Sequence, residues 1–287
     1  MGAIHVNWPD VVGLAVIAGV SFFLRYIYAP LKIRGTQTRE REPRYASVEL
    51  TQLSPEVSWK FTQAASQLVA LSFTAVHATR QDPKRRQNSA VSLWVNRSAR
   101  DSAQVIAVTT ATHTGGERRA MLVTFRTEFG DRSTIVTTNA HSPRVFPPNP
   151  TVDTVICSDL YDVTLLYQLH CARVARDAAG RTATVESLRD GIAYLCNEHT
   201  ETFQRLIKAG YYVEDARAGR YLATYRGAFL MTYRYLWPWK QINLILRQRK
   251  AERLLQELGF GGLEAMLVRQ RSAALAAAGA PVPPVLR

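Results

Sequence analysis

The sequence of 287 residues contains few of the features that mark enzymes and metal-binding proteins. It has no G-x-S-x-G, no H-E-x-x-H, no phosphate-binding glycine loop and no dinucleotide fingerprint. Its three cysteines, Cys157, Cys171 and Cys196, form no CxxC pair and are odd in number. A secreted disulfide framework normally has an even set, so reduced thiols in a cytosolic compartment fit better.

The N-terminal region lacks charge. Residues 11–24 contain no charged side chain, and no Lys or Arg precedes Arg25. A cleaved signal peptide normally has a basic residue before its apolar run, so this pattern argues against cleavage. A helix over residues 11–31 would be about 31 Å long, close to the hydrocarbon thickness of a bilayer. We predict a transmembrane anchor within residues 1–31, with a buried helix of a soluble protein as the alternative.

Residues at both ends of this helix suit the two membrane surfaces. Trp8 lies at the start, Tyr26 and Tyr28 lie near the end, and Arg25 can extend its charge toward the headgroups. The basic residues follow the helix, at Lys32, Arg34, Arg39, Arg41 and Arg44. Because positive charge favours the cytoplasmic side, we predict a single-pass protein with the bulk of the chain in the cytoplasm.

The next part of the chain is typical of an α+β fold. Residues 32–53 indicate a juxtamembrane linker. Ser54 and Pro55 then resemble a helix start, and the apolar spacing predicts a helix to about His77. Alternating runs separated by Gly-rich turns indicate an antiparallel meander, which completes an α+β domain over residues 54–140. The predicted strands are residues 91–95, 105–112, 121–129 and 133–138.

The second half is predicted to be mainly helical. Four prolines within residues 141–150 favour an extended connection over 141–158, and Asp159 is a plausible N-cap for the first helix of a domain covering 159–271. Residues 272–287 are low in complexity and are predicted to be a flexible tail. The predicted elements are a helix from 159 to about 180, a helix over 185–209, strands 211–213 and 221–224, and helices 228–236 and 240–258.

Two resemblances follow from particular blocks. The order helix, hairpin and then Leu222-Ala-Thr-Tyr-Arg-Gly227, at about 185–236, resembles the end of a winged-helix domain, where the wing's second strand commonly runs into a Leu-Thr-x-x-Gly type helix start. That resemblance implies a recognition helix near 200–208. Its only basic residues would be Arg205 and Lys208, which is few for a helix entering the major groove, so the sequence argues against nucleic acid as a partner.

The blocks at 125–139, 166–176 and 227–238 resemble those of uncharacterised bacterial single-pass membrane proteins of unknown function. This second resemblance supports the architecture and implies no activity.

One group of side chains could hold a metal ion. Cys196 and His199 are three residues apart on one predicted helix, and His170 lies on the neighbouring one, a spacing that can supply zinc ligands. A hydrogen-bonded core histidine is the commoner outcome for His199, which lies on an apolar stripe. No cofactor is expected.

The strongest local signal after the anchor is basic and aromatic. Residues 217–271 contain eleven Lys and Arg against three Glu, a net charge of +8. Aromatic rings beside cations suit a bilayer surface with anionic headgroups, although Trp237 and Trp239 could instead be core residues between domains. The predicted interface residues here are Arg234, Tyr235, Trp237, Trp239 and Lys240.

The sequence thus favours a non-enzymatic, membrane-anchored scaffold or regulatory subunit that contacts anionic lipid and a protein partner at the inner membrane. A membrane-tethered winged-helix regulator of nucleic acid is one alternative. A membrane-side hydrolase or metalloenzyme is the other.

Overall fold

The protein is α+β, as the sequence predicts. The computed structural model describes residues 8–43, 45–47, 55–81, 87–111, 117–140, 145–185 and 190–277. A π-helical turn, Leu24–Tyr28, joins the first two helices. The helices are α1 Trp8–Phe23, α2 Ala29–Thr36, α3 Pro55–Ala70, α4 Val163–Asp177, α5 Gly191–Lys208, α6 Tyr225–Tyr235, α7 Trp239–Glu257 and α8 Leu263–Ala277. The strands are β1 Thr38–Glu40, β2 Tyr45–Ser47, β3 Thr74–Gln81, β4 Gln87–Asn96, β5 Asp101–Ala111, β6 Glu117–Phe129, β7 Thr134–Thr138, β8 Val152–Ile156, β9 Ala183–Thr184, β10 Tyr212–Asp215 and β11 Arg220–Ala223.

These elements form two compact units whose segments interleave along the chain. The first unit comprises residues 1–43, 143–147 and 198–243, and the second comprises 44–142, 148–197 and 244–287. The domains predicted from the sequence are contiguous segments of the chain, so the interleaved arrangement differs from the prediction.

The second unit is built on a sheet with strand order β2-β3-β4-β5-β6-β7-β8. Neighbouring strands from β2 to β7 are antiparallel, as the predicted meander requires, and β8 adds in parallel to β7. Side chains alternate between the two faces: Trp94 joins the core under α3 and α4, whereas Leu93 and Val95 pack with Tyr194 of α5 on the other face.

The first unit has a small sheet of its own with order β1-β11-β10. Thr224 caps α6: its hydroxyl accepts from the Gly227 N–H at 2.8 Å and donates to the Gly210 carbonyl at 2.7 Å. A Cβ at Gly227 would lie 2.1 Å from the Tyr211 carbonyl oxygen, so only glycine permits this close approach. The Thr-x-x-Gly spacing noted in the sequence is therefore a helix cap. An aromatic core lies beneath it, made of Phe203, Leu206, Tyr211, Tyr212, Tyr221, Ala223 and Met231.

The predicted helix over residues 54–77 is wrong in its second part. α3 ends at Ala70, Ser72 adopts a positive φ of 65°, and residues from Thr74 onward pair with β4. Small and β-branched residues after Leu71 satisfy both a helical and an alternating pattern. The pairing with β4, which is distant in sequence, selects the strand.

Other boundaries are also corrected. The expected linker over 32–53 contains the end of α2 and both β1 and β2, while residues 48–54 lie outside the described part. β8 forms within the expected Pro-rich connection, because β7 offers it a parallel partner. α4 is capped by Asp162 and not by Asp159. The expected tail is helical as far as Ala277, as its alanine content favours.

Candidate membrane interface

The N-terminal helix exposes apolar side chains on all sides. The helical run Val11–Thr36 is long and apolar enough to cross a membrane, and none of its apolar window is buried. Ile17, near its middle, is 67% exposed. From Trp8 to Tyr28 the rise is about 30 Å, so these two exposed aromatic residues lie at opposite ends of a segment as long as the hydrocarbon layer is thick.

The π-helical turn coincides with a proline. Pro30 has no N–H to donate to the carbonyl four residues back, and its ring would collide with a regular α-helical turn there. The wider turn removes this conflict: the Ala29 N–H donates to the Leu24 carbonyl, five residues back. The helix can therefore continue past the proline to Thr36.

A second element lies beside the end of this helix. α6 packs along α2 and the π-helical turn. The Tyr26 hydroxyl donates to the Trp237 carbonyl at 3.4 Å, and the Arg34 guanidinium lies 3.9 Å from the centre of the Tyr225 ring. The loop between α6 and α7 is therefore at the level of Tyr26 along the helix.

Exposed aromatic side chains continue from this level along α6 and into the start of α7, and we call this group the aromatic collar. Trp237 is 71% exposed, and the Tyr233 and Trp239 rings are 5.3 Å apart. Tyr225 and Phe229 are not among the predicted interface residues, although Tyr225, Phe229 and Tyr233 follow one another at intervals of four and therefore lie on one helix face. The collar comprises the half-buried Tyr26 and the exposed Tyr225, Phe229, Tyr233, Tyr235, Trp237 and Trp239.

The charge around the collar has one sign. Residues 11–39 and 216–251 contain no Asp or Glu. Arg25 and Lys240 are exposed, and the Lys240 ammonium lies 5.1 Å from the centre of the Tyr235 ring. Arg234 is half-buried instead: its guanidinium lies 3.5 Å from the Val145 carbonyl oxygen, so it contributes to packing within the first unit.

His170, one of the predicted metal ligands, is fully buried in the second unit. Its Nε2 lies 2.9 Å from the Thr127 hydroxyl and its Nδ1 lies 3.0 Å from the Thr137 hydroxyl. Burial lowers the pKa of His170 to about 3, with the nearby Arg173 charge as a second cause, so the ring is neutral. Both ring nitrogens are engaged by threonines.

The hydrogen bonds around His170 have a single direction. Arg173 donates to the Thr137 oxygen at 2.9 Å, which leaves the Thr137 hydroxyl proton for His170 Nδ1. Thr127 donates to the Asp101 carboxylate at 2.5 Å, so its oxygen accepts from His170 Nε2–H. The chain therefore runs from a guanidinium through neutral groups to a carboxylate. Such alignment strengthens each bond.

Both charged ends of this network, Arg173 and Asp101, are buried, whereas the Asp153 carboxylate that pairs with Arg173 is exposed. Arg173 is completely buried and donates to the Asp153 carboxylate at 2.7 Å, while Lys250 donates to the other oxygen of Asp153 at 2.7 Å. Burial raises the pKa of Asp101, partly offset by hydrogen bonds from Thr127 and from Tyr167.

Cys196 and His199 have other surroundings. Cys196 is half-buried. His199 Nε2 lies 2.9 Å from the Glu40 carbonyl oxygen, and its ring is 4.6 Å from that of Phe203. Among the described residues, no group of three or more His, Cys, Asp and Glu could hold a metal ion.

The predicted recognition helix corresponds to the end of α5. Arg205 there donates to the Pro147 carbonyl at 3.1 Å, and burial lowers its pKa. This guanidinium is therefore engaged in packing within the first unit.

No protein-family model, curated protein or solved structure matches the chain. The candidate interface therefore rests on its own geometry: an exposed apolar helix, an adjoining ring of exposed aromatic residues, and cations without neighbouring carboxylates in the sequence.

Proposed function

We propose that this chain is a single-pass membrane protein whose cytoplasmic part acts as a non-enzymatic scaffold or regulatory subunit, with the aromatic collar as a second contact to the inner leaflet. The contact between the Tyr26 hydroxyl and the Trp237 carbonyl carries the proposal, because it joins the end of the apolar helix to the exposed aromatic loop.

The exposed apolar area of α1 supports membrane insertion. Burying a Leu, Ile, Val or Phe side chain is worth about 1.5–3 kcal/mol, and α1 leaves many of these side chains exposed on every side. A helix that is apolar all round is stable only in apolar surroundings, since it has no polar face to turn to water.

The cations support a contact with the cytoplasmic leaflet. Arg25, Lys32 and Arg34 lie at one end of the anchor, Arg226 lies on α6, and Lys240 lies at the start of α7. Each cation near an anionic membrane surface is worth about 1 kcal/mol. The tyrosine and tryptophan rings suit the headgroup region, where an apolar ring and a polar edge are both accommodated.

A partly covered sheet face supports the scaffold role. Val91, Ile106 and Leu122 lie side by side on β4, β5 and β6 in direct register, and each is half-buried. An aliphatic row across three strands is a surface that a protein partner could cover.

Depth-dependent quenching tests the membrane contact. The full chain is reconstituted in vesicles containing anionic lipid, and tryptophan emission is measured with bromine at different depths of the acyl chain. We expect Trp237→Phe to remove a component that is quenched near the headgroups. Trp59→Phe is the matched control, since Trp59 is 64% exposed in the second unit. If both variants leave the quenched component unchanged, Trp237 does not touch the membrane.

Site-specific crosslinking tests the scaffold role. A photoreactive residue at Ile106 should give one recurrent protein adduct in membranes from the native host. The same residue at Arg271, which is exposed on α8, should not give that adduct. Identical adduct patterns at the two positions would contradict a specific partner on the sheet.

The other functions have less support. The engagement of Arg205 by the Pro147 carbonyl leaves Lys208 as the basic residue available to a nucleic-acid backbone on that part of α5. The engagement of both His170 nitrogens by threonines disfavours a metal role for that residue.

A further inference from the structure

The second unit contains a basic groove. It lies between the last turn of α4 and one face of α7 and encloses about 460 Å³. The α7 residues recur at intervals of three and four, which places them on a single side of that helix. The lining residues are Arg176, Leu246, Arg249, Lys250, Arg253, Leu254 and Glu257.

Two of the four cations are held in place by carboxylates. Arg176 donates to Asp177 at 2.6 Å and to Glu257 at 2.8 Å. Lys250 donates to Asp153 at 2.7 Å. These pairs fix the walls of the groove, and both are partly exposed to solvent.

The other two cations have no such partner. Within the described part of the chain, neither Arg249 nor Arg253 makes a hydrogen bond or an ion pair. They are four residues apart, where like charges destabilise a helix and opposite charges would stabilise it. The nearby Glu252 carboxylate accepts from the Leu263 N–H at 2.8 Å, at the start of α8, so it is engaged elsewhere.

The groove also has an apolar side. Leu246 is exposed at its edge, next to the exposed Leu244 and Ile245 on the same helix. A ligand that matches both sides carries a phosphate and an aliphatic chain. Arginine suits the phosphate, because its planar guanidinium donates two parallel hydrogen bonds to phosphate oxygens.

We propose that this groove binds the phosphate of an anionic phospholipid, with Arg249 and Arg253 as the principal ligands and Leu246 against the acyl chain. The proposal rests on the membrane location proposed above, since only then does the cytoplasmic part meet such lipids.

The test uses the full chain in a neutral detergent, titrated with dioctanoyl phosphatidic acid, dioctanoyl phosphatidylcholine or inorganic phosphate. We expect phosphatidic acid to bind more tightly than either of the others. The Arg249→Gln/Arg253→Gln variant should bind phosphatidic acid about 30-fold more weakly, equivalent to about 2 kcal/mol. Arg269→Gln/Arg271→Gln removes the same charge from exposed positions on α8 and should bind like the unaltered protein.

Three results would overturn the proposal. Equal weakening in both variants would indicate an unspecific charge effect. Inorganic phosphate binding as tightly as the lipid, with the same loss in the first variant, would assign the groove to a soluble phosphate. Unchanged lipid binding in the first variant, with its urea unfolding like that of the control, would exclude the groove as the site. Carbonate extraction from membranes reports on the anchor separately, so release of the unaltered protein would contradict the membrane location without affecting the groove titration.

Discussion

Helices α1 and α4 place their side chains in opposite environments. α1 exposes valine, leucine, isoleucine and phenylalanine on all sides, whereas α4 buries His170 and Arg173 completely. Neither arrangement is stable without a partner of matching chemistry. For α4 that partner lies within the second unit, in Asp153 and the threonines around His170. For α1 the proposed partner is a lipid bilayer.

The two helices also respond differently to a change of one residue. A charge added to α1 would have to enter the apolar phase unpaired, whereas a charge removed from α4 leaves its hydrogen-bond partners unsatisfied. The first change should alter where the protein is located. The second should alter its stability, and the two effects can be measured independently.

The largest effect is expected from charges in the middle of α1. Ile17→Arg/Val20→Arg should lose about 5–7 kcal/mol of insertion free energy, since one arginine at a helix centre costs about 2.5–3.5 kcal/mol. The measurement is the fraction of protein that stays in membranes after carbonate extraction. Gln248→Arg/Gln256→Arg adds the same charge at exposed positions of α7 and should remain membrane-bound. Equal retention of both variants would remove the basis for the anchor.

Removal of the buried cation on α4 should have the next largest effect. Arg173→Leu leaves the Val136 carbonyl and the Thr137 hydroxyl without their donor, and we expect the free energy of unfolding to fall by about 3 kcal/mol. Urea unfolding of the full chain in detergent measures this. Arg176→Leu, one turn later and exposed, should lose less than about 1 kcal/mol. A similar loss in both would show that the buried network contributes little.

The pH dependence of the free energy of unfolding should show the contribution of the buried His170. Its pKa is lowered to about 3 in the fold and is near 6.5 when unfolded, so the unfolded chain takes up a proton first as the pH falls. The free energy of unfolding therefore has its full His170 contribution above the unfolded pKa of about 6.5. It falls by about 2 kcal/mol between pH 7 and pH 5, because protonation then stabilises the unfolded chain.

The His170→Gln variant provides the comparison. It lacks this titration, and its stability should change less over the same range, whatever its absolute value. Because Asp101 and the other histidines are common to both proteins, the difference between their pH profiles isolates His170. Parallel profiles would contradict the assignment of a neutral ring.

The smallest effect is expected at the contact between Tyr26 and the loop that carries Trp237. The hydrogen bond from the Tyr26 hydroxyl is exposed and 3.4 Å long, so Tyr26→Phe should reduce stability by less than about 0.5 kcal/mol. Tyr26→Ala also removes the ring that stacks on Phe22 at 4.8 Å and should weaken headgroup-level quenching of Trp237. Tyr28→Ala removes an exposed ring from the same helix while keeping the Tyr26 hydrogen bond, and should have the smaller effect on quenching.

Much of the local structure follows from the sequence. The strands β4 to β7 and the hairpin β10–β11 lie close to their predicted positions, because alternating apolar residues and turn glycines are signals carried by adjacent residues. The break between α6 and α7 at Pro238 was also predicted, since proline cannot continue a helix there.

For the loop between α6 and α7, the sequence predicts the residues involved but not whether they are exposed. The sequence identified Trp237 and Trp239 and their neighbouring cations, but it left open whether the rings are in a core or exposed. The exposure of Trp237 and the position of its carbonyl beside Tyr26 depend on how α6 packs on α2 and the π-helical turn, about two hundred residues earlier in the chain.

Composition and charge order alone identify residues 11–24 as an uncharged apolar segment followed by basic residues, because neither property needs a tertiary contact. The α+β character also follows from the sequence, because periodicity is a local property. The replacement of a linker by β1 and β2, the interleaving of the units, and the buried network shared by His170 and Arg173 emerge only when the chain is folded. Those features depend on contacts between residues far apart in the chain, and the pattern of neighbours in a sequence does not record such contacts.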